Sequence, residues 1–521
     1  MGTGADLVLQ RLLAGGVDVC FANPGTSEMH FVAALDAHPR MRAVLCLFEG
    51  VATGAADGFA RIAGRPAATL LHLGPGLANG LANLHNARRA HTPVVNVVGD
   101  HATYHAEFDA PLESDIEALA TWPEGLVYRP HSPAALTAAV DGALAGAIGP
   151  PGRVATVILP ADYSWGPADS DGSPVVDAPP ETGAGGIGAP AAAELLADYG
   201  EHTVLLLGGA ATTAAGLTAA ARVAAATGAR ALVETFPARL ARGRGIPAIE
   251  RLAYLAEQAE QQLAGATQII LVGTRAPVAF FAYPGRASGL VPTGAQVHTL
   301  DPADLAPLAE NLGAPAAPAP DMAPRDLPKG PLTVANWAEV IGALLPENAI
   351  ISDEANTSGV LIPAATAASP PHDVLTLTGG AIGQGLPVAV GAAIAAPDRP
   401  VVALQADGSA LYTISALWTM AREQLDITVV ILNNHAYAIL QMELGRVGAS
   451  WGERSDGGPC GDAAKSLLDL SRPDIDFASI AAGFGVPATR AATAEELAEQ
   501  FAAAVAEPGP HLIDAAVAPW G

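Results

Sequence analysis

The chain has 521 residues, half of them hydrophobic and few aromatic, and its 26 Lys and Arg against 52 Asp and Glu give a formal charge of −26. That length exceeds a single core and points to about three domains, while the composition is that of a compact soluble protein rather than a disordered one. The acidic balance disfavours nucleic acid and anionic membrane surfaces as partners. Cys20, Cys46 and Cys460 show neither metal nor redox spacing, which fits a reduced, cytoplasmic compartment. The N-terminus lacks a signal-peptide pattern, and Gly, Pro and charges interrupt the Ala-rich segments too often for a membrane span.

A first domain is expected over residues 1–165, where apolar strands alternate with helical segments as in a doubly wound α/β sheet. The strand candidates are Val19–Ala22, Val44–Phe48, Ala68–His72, Val94–Val98 and Val154–Leu159. Turn residues follow several of them: Asn23-Pro24-Gly25-Thr26, Gly74-Pro75-Gly76 and Gly99-Asp100. Glu49 directly follows the run LCLF and opens the helical stretch GVATGAADGFARIAG. A carboxylate there lies in a sheet-end crevice near a helix N-terminus, and on the residues alone a capping role explains it more simply. His72 ends a strand, where a plain polar role competes with titration near neutrality. His101 and His105, in GDHATYH, read as surface or core histidines.

The Pro-, Gly- and Asp-rich stretch Gly166–Pro190 reads as a linker. The middle domain, residues 190–315, has strands at Thr203–Leu207, Ala231–Glu234, Gln268–Val272 and Val297–Leu300, with a helix at Ala214–Thr227. This is Rossmann-like, and the Gly208-Gly209 turn is compatible with a nucleotide. No GxGxxG fingerprint opens a clear βαβ unit in any domain, which counts against an NAD- or FAD-dependent oxidoreductase. Phe280, Phe281 and Tyr283 form an aromatic cluster suited equally to a site wall or to packing. A second linker, Gly313–Gly330, is rich in Pro and Ala.

The third domain, residues 331–521, carries the most informative stretch. A Gly-rich loop, Gly379 to Pro387, leads into a helix. After it come an apolar run (Val401–Leu404), Asp407-Gly408-Ser409, an amphipathic segment (Thr413–Glu423), a β-branched run (Ile427–Leu432) and Asn433-Asn434. That is a strand, a crossover helix and a parallel strand. Asp407 and Asn434 then lie at two carboxyl ends, where open α/β sheets bind ligands. Neighbouring strands are roughly 5 Å apart, so both side chains can reach one cation. Carboxylate, amide and backbone oxygens suit Mg²⁺ or Ca²⁺ rather than zinc, and such a Mg²⁺ usually also holds phosphates. An ordinary βαβ unit with DG and NN turns is the plain alternative. Residues 445–474, rich in Gly, Ser, Asp and Pro, are expected to form a mobile lid.

Asp407-Gly408-Ser409 followed by Asn433-Asn434 at this spacing resembles the diphosphate-binding motif of thiamine-diphosphate enzymes. The resemblance implies that Asp407, Asn434 and the carbonyl of Ala436 hold Mg²⁺, with Ala406 standing where the family usually has Gly. The segment Glu49-Gly50 to Arg61 resembles the context of the family glutamate that hydrogen-bonds the cofactor's aminopyrimidine N1′ and favours its imino tautomer. Asn23-Pro24-Gly25-Thr26-Ser27-Glu28 is similar to a loop of acetolactate synthase-like and benzoylformate decarboxylase-like members, so Thr26 is expected to face substrate and His72 to transfer protons. Gly380 is expected to offer its carbonyl to the 4′-amino group and Ile382 to sit under the cofactor's bend, with Gly408, Ser409 and Tyr437 completing the binding set.

The resemblance covers all three domains. It implies three doubly wound parallel-sheet domains: pyrimidine-binding, central Rossmann-like and diphosphate-binding. It implies decarboxylation of a small-molecule 2-oxo acid, with aldehyde release or carboligation to a 2-hydroxy ketone. It also implies a homodimer or homotetramer with active sites at subunit interfaces. The loop Gly99 to Glu117 differs from that of FAD-dependent synthases, so FAD is not expected. Two alternatives stand beside this: a non-catalytic or regulatory relative that keeps the fold, and an enzyme whose donor is an acyl-CoA or diketone.

Overall fold

A computed structural model of the chain describes residues 2–168, 186–316, 326–446 and 462–518. Linker residues 169–185 and 317–325, and residues 447–461 of the expected lid, lie outside the described residues. The chain divides into two compact units. One comprises Met1–Pro180, Arg325–Ala365 and Leu377–Gly521; the other comprises Glu181–Pro324 and Thr366–Thr376.

In the first unit, apolar runs form parallel strands, the central ones buried on both faces and the edge strands Arg42–Leu45 and Leu126–Tyr128 less so. These are β1 (Val19–Asn23), β2 (Arg42–Leu45), β3 (Ala67–Leu71), β4 (Val94–Asp100), β5 (Leu126–Tyr128) and β6 (Val154–Pro160). They pair in parallel in the order β2-β1-β3-β4-β6-β5. Leu70, Val95, Val97 and Val157 fill the core, and burying each contributes about 1.5–3 kcal/mol. The strand order reverses between β1 and β3, so their carboxyl ends flank a crevice. Two helices follow strands here: α1 (Glu49–Ala63) and α2 (Leu73–Arg89).

The second strand lies at Arg42–Leu45 rather than at the expected Val44–Phe48. Asn23 Nδ2 donates to Cys46 O at 2.7 Å, so a side chain replaces the strand partner there. Leu47 then turns out to solvent. The three-residue strand β5 is too short for the apolar pattern to register.

The second unit has its own parallel sheet. β7 (Thr203–Leu207), β8 (Arg230–Val233), β9 (Glu250–Arg251), β10 (Gln268–Val272) and β11 (Gln296–Leu300) run in the order β9-β8-β7-β10-β11. Helix α3 (Ala214–Thr227) starts on Thr213, whose side chain accepts from Gly216 N–H, and stops at Gly228 in the left-handed region, the usual pair of start and stop signals. Phe280 packs against Phe236 and Tyr254 with ring centroids 5.2 and 4.8 Å away.

A further parallel sheet belongs to the first unit. β12 (Ile350–Glu354), β13 (Val401–Ala406), β14 (Ile427–Asn433), β15 (Ala488–Ala491) and β16 (His511–Ala516) pair in the order β12-β13-β14-β16-β15. Its helices include α4 (Gly385–Ala395), α5 (Ala416–Glu423) and α6 (Ala438–Arg446). Helix α5 begins three residues later than the amphipathic pattern indicates, because Thr413 Oγ1 donates instead to Gly383 O at 2.9 Å.

Within this unit α1 packs on α4. Glu49 through Arg61 are all buried, as expected of a helix flanked on every side. The contact depends on missing side chains: a β-carbon added at Gly391 would lie 1.9 Å from Ala55 O, and one at Gly58 would lie 2.2 Å from Val388 O. The helix that opens with Glu49 is thereby fixed to the part of the chain that carries Asp407. Among the described residues no helix is long and apolar enough to cross a membrane.

Candidate active site

Two clusters in the first unit gather the residues that the sequence singles out. The first lies at the carboxyl ends of β1 and β3. Glu49 is the first residue of α1, yet it does not cap that helix, whose N-cap is Phe48 with no side-chain bond. Instead Glu49 Oε2 accepts from Asn79 Nδ2 at 3.0 Å, and only 9% of the residue is exposed. His72 immediately precedes α2, and its Nδ1 pairs with Glu28 Oε2 at 2.8 Å. A β-carbon added at Gly76 would lie 3.3 Å from Glu49 Oε1 and 3.4 Å from His72 Cβ, so both residues border one space. Thr26 sits exposed at the start of the short turn Thr26–Glu28.

Glu28 is a buried carboxylate of this cluster to which the sequence pattern assigns no role. It is 2% exposed and also accepts Gly25 N–H at 2.8 Å. Burial raises its pKa, while the Gly25 bond and His72 pull it down. The available signal was its place at the end of NPGTSE, but its partner lies 44 residues away.

The second cluster lies at the carboxyl ends of β13 and β14. The register pairs Ala406 with Leu432, which brings the residues after them together. Asp407 Oδ2 accepts Asn434 N–H at 3.1 Å, and Oδ1 accepts Gly408 N–H at 2.8 Å. Asn434 Oδ1 accepts Ala436 N–H at 3.0 Å and folds the turn back; His435, inside it, is left-handed at φ 57°. Ser409 Oγ donates to Ala406 O at 3.1 Å. Asp407 is 2% exposed. Burial raises its pKa, against the N–H groups of Gly408, His435 and Asn434. Tyr437 stands over the turn: a β-carbon at Gly408 would come within 2.4 Å of its ring. Ala406 lies at φ −72°, ψ 146°, an extended conformation open to any residue, so its methyl group imposes no backbone strain.

Gly380 and Ile382 lie on a loop that α2 holds. Asn86 Nδ2 donates to Ala381 O at 2.8 Å, Ala381 N–H returns to Asn86 Oδ1 at 3.2 Å, and Asn83 Nδ2 reaches Gly383 O at 3.2 Å. Helix α1 adds the buried Asp57–Arg61 pair: Arg61 donates to Thr378 Oγ1 at 2.9 Å, and Asp57 accepts from Gln384 Nε2 at 3.2 Å. Gly380 is exposed with φ 75°, and Ile382 is half-buried. The rings of His101 and His105 lie tilted to one another with centroids 5.3 Å apart, His105 being exposed.

The donors of the second cluster are a buried carboxylate, an amide oxygen and backbone carbonyls, a hard-oxygen set that fits Mg²⁺ with a diphosphate. The Tyr437 ring packs where a β-carbon of Gly408 would project, so the turn requires glycine there. The first cluster offers a buried carboxylate beside an imidazole, the equipment for proton transfer.

Two family models match the chain: the N-terminal TPP binding domain of thiamine pyrophosphate enzymes over residues 2–119, and their C-terminal TPP binding domain over residues 353–515. Thr26, Glu49 and His72 fall in the first; Gly380, Ile382, Asp407 and Asn434 fall in the second. A Mycobacterium tuberculosis protein, provisionally named acetolactate synthase large subunit IlvX, is 59% identical over 99% of both chains. The benzoylformate decarboxylase of Pseudomonas aeruginosa is 32% identical over 96% of both. Among solved structures, the Rhodococcus jostii RHA1 thiamine diphosphate-dependent 4-hydroxybenzoylformate decarboxylase superposes with a TM-score of 0.83 over 99% of both chains at 25% identity. The benzoylformate decarboxylase of Polynucleobacter necessarius shares the fold, with a TM-score of 0.79 at 22% identity over 99% of both chains.

Proposed function

This chain belongs to the thiamine pyrophosphate enzyme family, and we propose that it decarboxylates a 2-oxo acid with thiamine diphosphate and Mg²⁺, releasing an aldehyde. The observation that carries the reading is the direct bond between Asp407 and the Asn434 backbone across adjacent strand ends. When bound, thiamine diphosphate supplies a carbon nucleophile and an electron sink for loss of carbon dioxide.

The protein's own residues supply the rest. Asp407, Asn434 and the Ala436 carbonyl would hold Mg²⁺, while Gly408 and Ser409 would receive the diphosphate. Glu49 would hold a hydrogen bond to the pyrimidine, the carbonyl of Gly380 would accept from its amino group, and Ile382 and Tyr437 would brace the cofactor. Thr26 would face the substrate. His72 would exchange a proton at Nε2, because Glu28 occupies Nδ1. A buried carboxylate behind an imidazole fixes its tautomer and ring orientation, and a proton source of this kind favours aldehyde release.

Carboligation to a 2-hydroxy ketone is the second reading, and the 59% identity to the M. tuberculosis protein favours it. Leu47 beside Glu49, and Leu411 and Tyr412 beside the Asp407 turn, are exposed apolar side chains. They support assembly with a second copy of the chain, in a homodimer or homotetramer whose sites lie at subunit interfaces.

The test is turnover with Mg²⁺ and thiamine diphosphate against a panel of 2-oxo acids, pyruvate and benzoylformate included, with and without aldehyde acceptors, reading products by NMR. An aldehyde product supports the first reading and a 2-hydroxy ketone the second. Silence across the panel with the cofactor bound would reject both and direct attention to acyl-CoA or diketone donors.

A further inference from the structure

Glu354 is a buried carboxylate to which the proposed chemistry gives no part. It is the last residue of β12 and is 1% exposed. Its Oε1 accepts Gly383 N–H at 2.7 Å, and its Oε2 accepts Gly385 N–H at 2.5 Å and Gln405 Nε2 at 3.0 Å. Gln405 Nε2 donates onward to Ser409 Oγ at 2.6 Å, and Ser409 Oγ donates to Ala406 O. One unbroken chain of hydrogen bonds therefore runs from the loop that bears Gly380 and Ile382 to the turn that bears Asp407.

Two observations show that the chain constrains geometry. Ser352 Oγ donates to Gly385 O at 2.7 Å, so β12 grips both the N–H and the C=O of the same residue. At Gly385 a β-carbon would lie 2.3 Å from Gln405 Oε1 and 2.8 Å from Glu354 Cβ, so loop, strand and turn meet at backbone distance. Burial pushes Glu354 up to about 7, against the pull of its N–H donors. Glu354 and Gln405 are both buried, and paired polar groups in a low-dielectric interior hold a specific geometry.

We propose that Glu354 is a positioning residue that holds the Gly379–Gly385 loop in register with the Asp407–Ser409 turn, so that the two ends of the cofactor are received by one connected element. The proposal rests on the reading that these two segments bind thiamine diphosphate. Its consequence is that disturbing Glu354, which lies outside the proposed cofactor contacts, weakens cofactor binding without general unfolding.

The experiment compares wild type, Glu354→Gln, Gln405→Met and the carboxylate control Glu234→Gln. Thiamine diphosphate is titrated into each with Mg²⁺ by calorimetry, and amide hydrogen exchange is followed in the cofactor-free proteins. Glu354→Gln is expected to raise the cofactor Kd about tenfold, as the loss of one buried charged acceptor does. Exchange at the Gly383 and Gly385 amides should rise at least as much while β14 and β16 stay protected. Gln405→Met, which removes the bonds to both Glu354 and Ser409 but leaves Glu354 its Gly383 and Gly385 donors, should raise Kd less and leave those amides protected. Glu234→Gln should bind within about twofold of wild type.

The proposal fails if Glu354→Gln binds as wild type does, or if its exchange rises evenly across the first unit. Should Glu354→Gln not fold, an unchanged Kd in Gln405→Met overturns the proposal and a raised one supports it. If wild type itself does not bind thiamine diphosphate, the proposed function fails, and the exchange comparison still decides whether Glu354 orders the loop.

Discussion

Two parallel sheets of this chain end in a glutamate, half-buried at Glu234 and buried at Glu354, and their surroundings differ. In the second unit Glu234 follows β8, accepts from Thr274 Oγ1 at 2.6 Å, and is pushed by burial up to about 7. In the first unit Glu354 ends β12 and is likewise pushed up to about 7. Around Glu234 lie the turns after β7 and β10: a β-carbon at Gly208 would meet its carboxylate at 2.6 Å. Around Glu354 the next strand ends add Asp407 and Asn434, a carboxylate bonded to the backbone of an amide residue. A sheet end provides a crevice in either unit. On the proposed function, the pairing of hard oxygen ligands on neighbouring strands would make one of them a site for a metal and a diphosphate, and the function would rest on that pair rather than on the fold.

The largest effect should come from the pair itself. Asp407→Ala removes a buried ligand and is expected to raise the thiamine diphosphate Kd at least ~100-fold, about 3 kcal/mol. Titration calorimetry with Mg²⁺ checks this. Binding that survives the change would place the metal elsewhere and erase the contrast between the two sheet ends.

Glu49→Gln comes next, with turnover expected to fall by ~10² to 10⁴, the usual contribution of proton transfer by a positioned side chain. Cofactor affinity should shift only a few-fold, because the diphosphate turn is untouched. Product assays beside calorimetry separate the two. His72→Ala should lower turnover by about 10- to 100-fold and reduce aldehyde in favour of 2-hydroxy ketone, and Glu28→Gln should do so more weakly, since it acts through His72.

The smallest effect concerns pH. A carboxyl held above its unfolded value binds its proton more tightly in the native state, so stability is present below about 4.5 and is lost as pH rises towards about 7. For Glu354 the displacement from 4.5 to about 7 corresponds to a total change on the order of 3 kcal/mol across that range. Urea unfolding between pH 5 and 8 should show this decline in wild type and a flatter one in Glu354→Gln. A slope unchanged in that variant would mean that other groups set the pH response.

Much of the fold was legible because β-branched runs end in Gly, Pro and Asn turns. The first sheet, the second-unit sheet and the βαβ unit around Asp407 follow from that punctuation. The Asp407 and Asn434 spacing was readable because a parallel crossover forces both residues to strand ends. The partners of these residues were less legible. Glu28 meets His72 across 44 residues and Glu354 meets Gln405 across 51, distances over which no local pattern operates. The shift of β2 depended on a side-chain bond from Asn23, and the unstrained backbone at Ala406 depended on its dihedral angles. Neither is written in residue type.

The most direct measurement is calorimetric titration of the wild-type protein with thiamine diphosphate in Mg²⁺ and then in EDTA, alongside Asp407→Ala in Mg²⁺. The account predicts saturable binding that requires both the metal and Asp407. Absence of binding, or binding indifferent to Mg²⁺ and to residue 407, would contradict it.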